Sequence, residues 1–337
     1  MEIQKLKKLA KNVPFIKTLA EKNNKRKKKN RVSQSIDTYK ERYLNYSVSL
    51  RNSEDMEWLR RTIVIDSHII EKGLSHSNFR AGFGKAVIIE LQDCIKKYLD
   101  IGGQDDFVYR NAISLLYEYH KLNEQNGVDD SDYFQLRFVG NSDLPDFAPY
   151  CISSTGEGYN PDYENLMMRR HSVRKYDGEV LPISTELFQK IVSLANTAPS
   201  ACNRQATHVY AVTDKLKFKA IEELQRGCKG FGEHVSAFLF IASDLSLYTV
   251  DEFKLPIFDA GIFTMNLLYA LEAYGLYSCT LNASFYGENM IKIREIASIP
   301  DSYEVNGLVA VYNLAKDEKM FIASSPRRKA DDLLTVL

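Results

Sequence analysis

The chain predicts an α+β protein: a sheet covered by helices in its C-terminal half, preceded by a mostly helical N-terminal half. Three observations carry this. Residues 35–126 place apolar side chains at spacings of three and four, punctuated by Gly73, Gly82, Gly84, Gly102 and Gly103. From residue 164 onward, helix-length periods alternate with short strand candidates. Between the two, residues 127–165 are rich in Asp, Gly, Ser, Pro and Tyr and carry few long apolar periods. The 337 residues suffice for about two domains, and 45% hydrophobic with 26% charged residues allow a sizeable core. The expected organisation is an arm over 1–31, a helical domain over 32–150, a connector over 151–163 and a layered domain over 164–337.

Residues 1–20 set Ile3, Leu6, Leu9, Ala10, Val13, Ile16 and Leu19 on one helical stripe, with Pro14 weakening its middle. A polybasic run, Lys22 to Arg31, follows. Residues 1–31 hold twelve Lys or Arg against two Glu, a local +10, so the remainder of this net-neutral chain is −10. That pattern fits contact with an anionic membrane surface or a partner. With zero overall charge, nothing points to specific nucleic-acid recognition.

The next helices fall at Glu54 to Glu71, Lys85 to Leu99 and Asp106 to Asn123. In the C-terminal half, Ser184 caps a helix reaching Asn196. His208–Val212 is a strand, Lys215–Gln225 a helix and Ser236–Ala242 a fully buried strand. The apolar Pro256–Tyr274 is a helix closed by Gly275. Asp259, Asn266 and Glu272 interrupt it, so it reads as buried in protein rather than in a membrane. Tyr277–Asn282, Glu288–Ala297 and Val305–Tyr312 read as strand, helix and strand.

Five cysteines (Cys94, Cys151, Cys202, Cys228 and Cys279) are scattered, odd in number and without a CxxC pair. This suits a reducing compartment, and no apolar signal segment opens the chain. The expected location is cytoplasmic, at most peripheral to the inner face of the membrane.

Two polar clusters carry the chemistry. Arg169-Arg170-His171-Ser172-Val173-Arg174-Lys175-Tyr176 packs three arginines, a lysine, a histidine and a serine into eight residues. Guanidinium forks, a hydroxyl and backbone N–H groups match phosphate oxygens. One helix later comes Ala198-Pro199-Ser200-Ala201-Cys202-Asn203-Arg204-Gln205. Its amides both donate and accept, which suits the edge of a heterocycle. Together they point to a ligand with a phosphate and a hydrogen-bonding ring.

Arg170 to Tyr176 resembles the N-terminal signature of the flavin-dependent nitroreductase family, and Pro199 to Gln205 resembles its second flavin loop. Asp259-Ala260-Gly261 with Asn266-Leu267-Leu268 is similar to the family's interface helix, and Gly275 to Cys279 to the strand entry after it. Arg328 stands where the family keeps a phosphate-binding arginine. The resemblance covers residues 164–337, about half the chain.

The resemblance implies a three-layer α/β/α domain with a mixed, largely antiparallel sheet. It implies a homodimer with FMN at the interface, contacted from both chains. Arg170 and Ser172 would contact the phosphate or ribityl chain, His171 through its backbone, and Arg174 the N1–C2 end of the ring. Ser200 and Asn203 would come from the partner and contact the ring and its tail, Pro199 and Gln205 of the same loop would also bind the cofactor, and Arg328 would close on the phosphate. NADH or NADPH would give a hydride to flavin N5, and a small-molecule acceptor, such as a nitro compound, quinone or specific metabolite, would then take two electrons. No side-chain acid or base is implied.

Departures exist. Ala206-Thr207-His208 follows the second loop where many members have Trp, and Leu281 to Phe285 lacks the acid that many carry. Lys229 is the nearest match for a lysine near flavin N1. An oxidase or dehydrogenase without NAD(P)H, or a flavin-fold dimerisation scaffold, are the alternatives. Elsewhere, His68, Glu71 and His76 lack zincin spacing, Phe79 to Lys85 matches no phosphate-loop fingerprint, and no GxSxG follows a strand. No metal is expected.

Overall fold

Helix α1 (Pro14–Tyr46) runs unbroken through the polybasic segment. At 33 residues it is about 50 Å long. Pro14 is its first described residue. The structure is a computed structural model that describes residues 14–52, 55–75, 80–135, 160–225, 227–285, 287–323, 325 and 327–337. The expected stripe at Ile3 to Val13, the residues His76, Phe79 and Cys151, and most of the expected connector lie outside the described residues. Two units are distinguished, Met1–Tyr46 and Ser47–Leu337.

The second unit begins with three amphipathic helices, α2 (Met56–Leu74), α3 (Lys85–Asp100) and α4 (Phe107–Gln125). Their shared core includes Leu59, Ile63, Ile70, Ile88, Leu91, Ile95, Tyr98, Ile113, Leu116 and Tyr119. Asp106 caps α4 by accepting the Val108 and Tyr109 N–H groups.

The sheet domain follows. Helix α5 (Pro161–Arg169) starts with an Asn160 cap and a proline at its first position. Strand β1 (Val173–Tyr176), helix α6 (Thr185–Ala195), strand β2 (Thr207–Val212), helix α7 (Lys215–Gln225) and strand β3 (Ala237–Asp244) come next. Helix α8 (Leu255–Ala273), strand β4 (Tyr277–Leu281), helix α9 (Glu288–Ala297), strand β5 (Tyr303–Tyr312) and strand β6 (Met320–Ile322) complete it. The main sheet has the order β2-β3-β5-β4, every ladder antiparallel. A parallel bridge, Ser172 to Ser278, leads into a two-stranded β1-β6 ribbon.

Period-2 alternation divides the sheet's residues between two cores. Phe238, Phe240, Leu308, Ala310 and Tyr312 face α7 and α9 through Phe218, Ile221, Ile293 and Ala297. Leu239, Ile241, Val309 and Val311 face α6 and α8 through Ile191, Ala195, Phe263, Leu267 and Leu271. The result is the expected three-layer α/β/α arrangement.

One expectation needs correction. α8 is apolar all round, but only part of it is buried: Ile257 is 54% and Phe258 63% exposed. Gly261 and Met265 are exposed on the same side. No helix among the described residues is long and apolar enough to cross a membrane.

Candidate functional site

Helix α8 organises both polar clusters. Near its start, Asp259 is 3% exposed, and its Oδ2 accepts the Ala201 backbone N–H at 3.2 Å and the Tyr248 hydroxyl at 3.0 Å. At its end, the buried Glu272 accepts from Arg169 Nε at 2.9 Å. Gly275, at φ 72°, closes the helix. The Leu276 N–H reaches the Leu271 carbonyl at 2.8 Å, a Schellman stop that turns the chain into β4.

Loop 199–205 is strained. Cys202, Asn203 and Gln205 adopt φ of 50°, 51° and 51°, left-handed values that cost a non-glycine residue about 1 kcal/mol or more each. Local bonds hold this shape. The Asn203 N–H donates to the Ser200 carbonyl at 3.0 Å, the Arg204 N–H to the Ala201 carbonyl at 3.1 Å and the Gln205 N–H to Ser200 Oγ at 3.0 Å. Asn196 Nδ2 donates to Gln205 Oε1 at 2.9 Å. Ser200 and Gln205 are half-buried, whereas Pro199 and Asn203 are exposed.

The first cluster leaves α5 and enters β1. Val173 is buried, Arg170 and Ser172 are half-buried, and His171 and Arg174 are exposed. Arg174 Nη1 lies 3.5 Å from the Ser172 carbonyl. No carboxylate pairs with Arg170 or Arg174 among the described residues, so the cluster keeps its positive charge available to an anion. Arg174 also lies close enough to β4 that its charge opposes the upward push of burial on the Cys279 thiol.

Arg328 is not brought to either cluster. It stands in an exposed tail, residues 327–337, and makes no hydrogen bond or ion pair among the described residues. Lys229 is exposed on a turn after α7. In the 282–285 segment, Asn282 Oδ1 accepts the Ser284 N–H at 3.2 Å and the Asn282 carbonyl accepts from Gln225 Nε2 at 3.1 Å.

Asp259 and Glu272 are thirteen residues apart, about 20 Å along the axis of α8. Within one chain, therefore, the clusters lie farther apart than one heterocycle spans.

Some participants had no signal in the sequence. Tyr248 and Glu252 approach the loop through long-range contacts with Arg204, and Ser47 bonds to Tyr248, none of which spacing or periodicity encodes. The positive φ at Cys202 and Gln205 was equally hidden. Cysteine chemistry does not dominate: the four described cysteines are free, and burial pushes Cys94 up to about 12 and Cys228 up to about 11. His68 Nδ1 and Glu71 Oε2 pair at 2.9 Å on α2, and no group of three or more His, Cys, Asp or Glu is placed to hold a metal among the described residues.

Residues 167–311 match the model of the Nitroreductase family. A protein of Archaeoglobus fulgidus named an NADH dehydrogenase/NAD(P)H nitroreductase is 31% identical over 171 residues, 49% of this chain and 92% of its own length. A protein of Lactiplantibacillus plantarum named a CLA biosynthesis enone reductase is 37% identical over 92 residues, 27% of this chain and 42% of its own. Among solved structures, an FMN-dependent nitroreductase of Clostridium difficile covers 51% of this chain and 96% of its own, at 21% identity and a TM-score of 0.41.

Proposed function

The chain belongs to the nitroreductase family, and on that premise we propose that it binds FMN between two copies of itself and reduces an organic acceptor with electrons from NADH or NADPH. The observation that carries this reading is the placement of two ligand-like clusters at opposite ends of α8, whose exposed face is apolar. An isologous dimer would cover Ile257, Phe258 and Met265 and assemble two equivalent sites.

The residues present fit the cofactor. Arg170 and Arg174 are cations without a carboxylate partner among the described residues, and Ser172 adds a hydroxyl. They would hold the phosphate and ribityl end, with Arg174 toward the N1–C2 edge, where negative charge develops on reduction. From the other copy, Ser200, Asn203 and Gln205 would meet the ring and its tail. Pro199 would stiffen the loop entry, and the His171 backbone would line the phosphate side. Arg328, in its exposed tail, would reach the site only on cofactor or partner binding. When bound, FMN supplies two-electron chemistry at N5. The chain's own part is binding, orientation and the fixed positive charge, so no side chain need carry a proton.

The expected outcome is a yellow dimer bleached anaerobically by NADH or NADPH and recoloured by a nitroaromatic or quinone. A colourless protein that cannot be reconstituted with FMN would overturn the reading. Arg174→Ala should weaken FMN retention or slow reduction. A second reading, an oxidase or dehydrogenase independent of NAD(P)H, draws support from the turn at Asn282–Ser284, which lacks an acid. Yellow protein that neither nucleotide bleaches would favour it.

A further inference from the structure

Arg204 is 5% exposed, although it sits in a polar loop between two left-handed residues. Its guanidinium is fully engaged on one side. Nη1 donates to the Leu247 carbonyl at 3.1 Å and to Glu252 Oε2 at 2.9 Å, and Nη2 donates to Glu252 Oε1. This is a bidentate fork, the strong form of an Arg–carboxylate pair. The guanidinium carbon also lies 5.1 Å from the centre of the Tyr248 ring. Tyr248 in turn donates its hydroxyl to Asp259, the residue that accepts the Ala201 N–H.

Glu252 is held as firmly. Its Oε2 accepts the Thr249 N–H at 2.8 Å and the Thr249 hydroxyl at 3.0 Å. Burial alone would push its carboxyl up, yet the bonds from Arg204 and Thr249 hold it below the usual range.

The helical half of the second unit closes over this assembly. α2 packs against residues 201–203 and 245–247. Ser47 Oγ and the Val48 N–H both donate to the Tyr248 carbonyl, at 2.8 and 3.2 Å, and the Val250 N–H donates to Ser49 Oγ at 3.2 Å. Burial and the nearby charge of Arg204 both lower Arg61 of α2. The loop is thus held from two directions, by Asp259 and Glu252 on the sheet domain's side and by α2 on the other, while residues 47–50 tie down Tyr248 and Val250.

We propose that Arg204 is a positioning residue: paired with Glu252 and covered by α2 and residues 47–50, it locks loop 199–205 in the left-handed shape that presents Ser200, Asn203 and Gln205. The helical segment that precedes the sheet domain then sets cofactor affinity through this clamp, without touching the cofactor. The second statement rests on the FMN reading above; the first does not.

The test uses the full chain, Arg204→Lys and the double variant Arg204→Met/Glu252→Met. The double variant removes both charges together, because deleting one partner would leave the other buried and unpaired. Two readouts are taken: amide hydrogen exchange at 201–205 without cofactor, and FMN titration by fluorescence with visible circular dichroism of the bound flavin. The double variant should keep a cooperative thermal transition, exchange faster at the Ala201, Asn203 and Gln205 amides, and bind FMN about tenfold more weakly, the size of one or two lost hydrogen bonds. Arg204→Lys, which keeps the charge but not the fork, should fall between. It also carries the test if the double variant does not fold. Unchanged exchange in a folded variant overturns the positioning role, whatever happens to FMN. Faster exchange with unchanged FMN affinity and dichroism overturns the link to the cofactor. If the unaltered chain binds no FMN, the functional reading fails, and the exchange comparison still decides the clamp.

Discussion

Arg169, the last residue of α5, donates to Glu272 in the last turn of α8 at 2.9 Å, and Glu272 is 5% exposed. A carboxylate at a helix C-terminus meets the negative end of the macrodipole, so Glu272 depends on a nearby cation. Arg169 supplies it and in doing so fixes where Arg170 to Arg174 begin.

Arg169→Met should therefore destabilise the protein by about 1–2 kcal/mol, the pair being partly solvent-screened on the Arg169 side. Most of the cost is the buried carboxylate left behind, so adding Glu272→Met should recover much of it. Urea midpoints of the three proteins check this. A single variant as stable as the parent would show that the pair contributes nothing.

Phe258, 63% exposed beside Ile257 on the bare apolar face of α8, should be covered in the proposed dimer. Burying a Phe contributes about 1.5–3 kcal/mol, and twofold symmetry counts it twice. If each site draws on both copies, as proposed above, Phe258→Asp should shift the protein to monomer and lose FMN with it. Light scattering coupled to size exclusion, with flavin absorbance recorded on the same peak, reads both. A monomer that keeps its flavin would defeat the interface reading.

Local signals made much of the fold legible. Ser184 caps α6 as expected by accepting the Leu187 N–H at 3.2 Å, and Gly275 closes α8. The strands β2 to β5 fall within two residues of their expected bounds, because buried apolar runs flanked by helices have few alternatives. β1 and β6 were not legible. Each is three or four residues long, and their pairing joins Val173 to Ile322 across almost the whole sheet domain. The polybasic run after the expected 1–20 stripe carries no apolar period to mark it as helix, yet it lies inside α1, where the intrinsic helix propensity of lysine and arginine carries it through. At the site, the motif residues could be named from sequence, but the left-handed backbone and the clamp on Arg204 could not. The clamp arises from contacts more than forty residues apart, and the left-handed backbone from bonds within the loop that residue spacing does not encode.

Asp66 on α2 should make stability depend on pH. It is 7% exposed, Oδ2 has no hydrogen-bond partner among the described residues, and burial, reinforced by Glu90 and opposed by Arg61, raises it to about 7. The folded state thus binds a proton more tightly than the unfolded chain, whose value is about 3.8. Stability from this group is full below about pH 4 and is lost as pH rises through 7. The loss is on the order of 2–4 kcal/mol. Asp66→Asn should flatten the difference between pH 5 and pH 8 and stabilise the protein at pH 8. Parallel urea curves at both pH values test it, and an unchanged pH dependence in the variant would assign the effect elsewhere.

The basic arm should adsorb to anionic membranes. Residues 14–46 hold ten Lys or Arg against three acids, and residues 22–30 are exposed on one continuous helix. Each basic residue near an anionic surface contributes about 1 kcal/mol, an attraction screened within about 10 Å at 0.1 M salt. The full chain should therefore sediment with phosphatidylserine-containing vesicles at low salt, much less at ~0.5 M salt, where screening is stronger, and little with neutral vesicles. Deleting residues 1–31 removes twelve of the basic residues and should abolish that binding while leaving the flavin spectrum unchanged. Equal sedimentation of the truncated and full chains would end the membrane assignment, and binding to neutral vesicles would show that charge is not its cause.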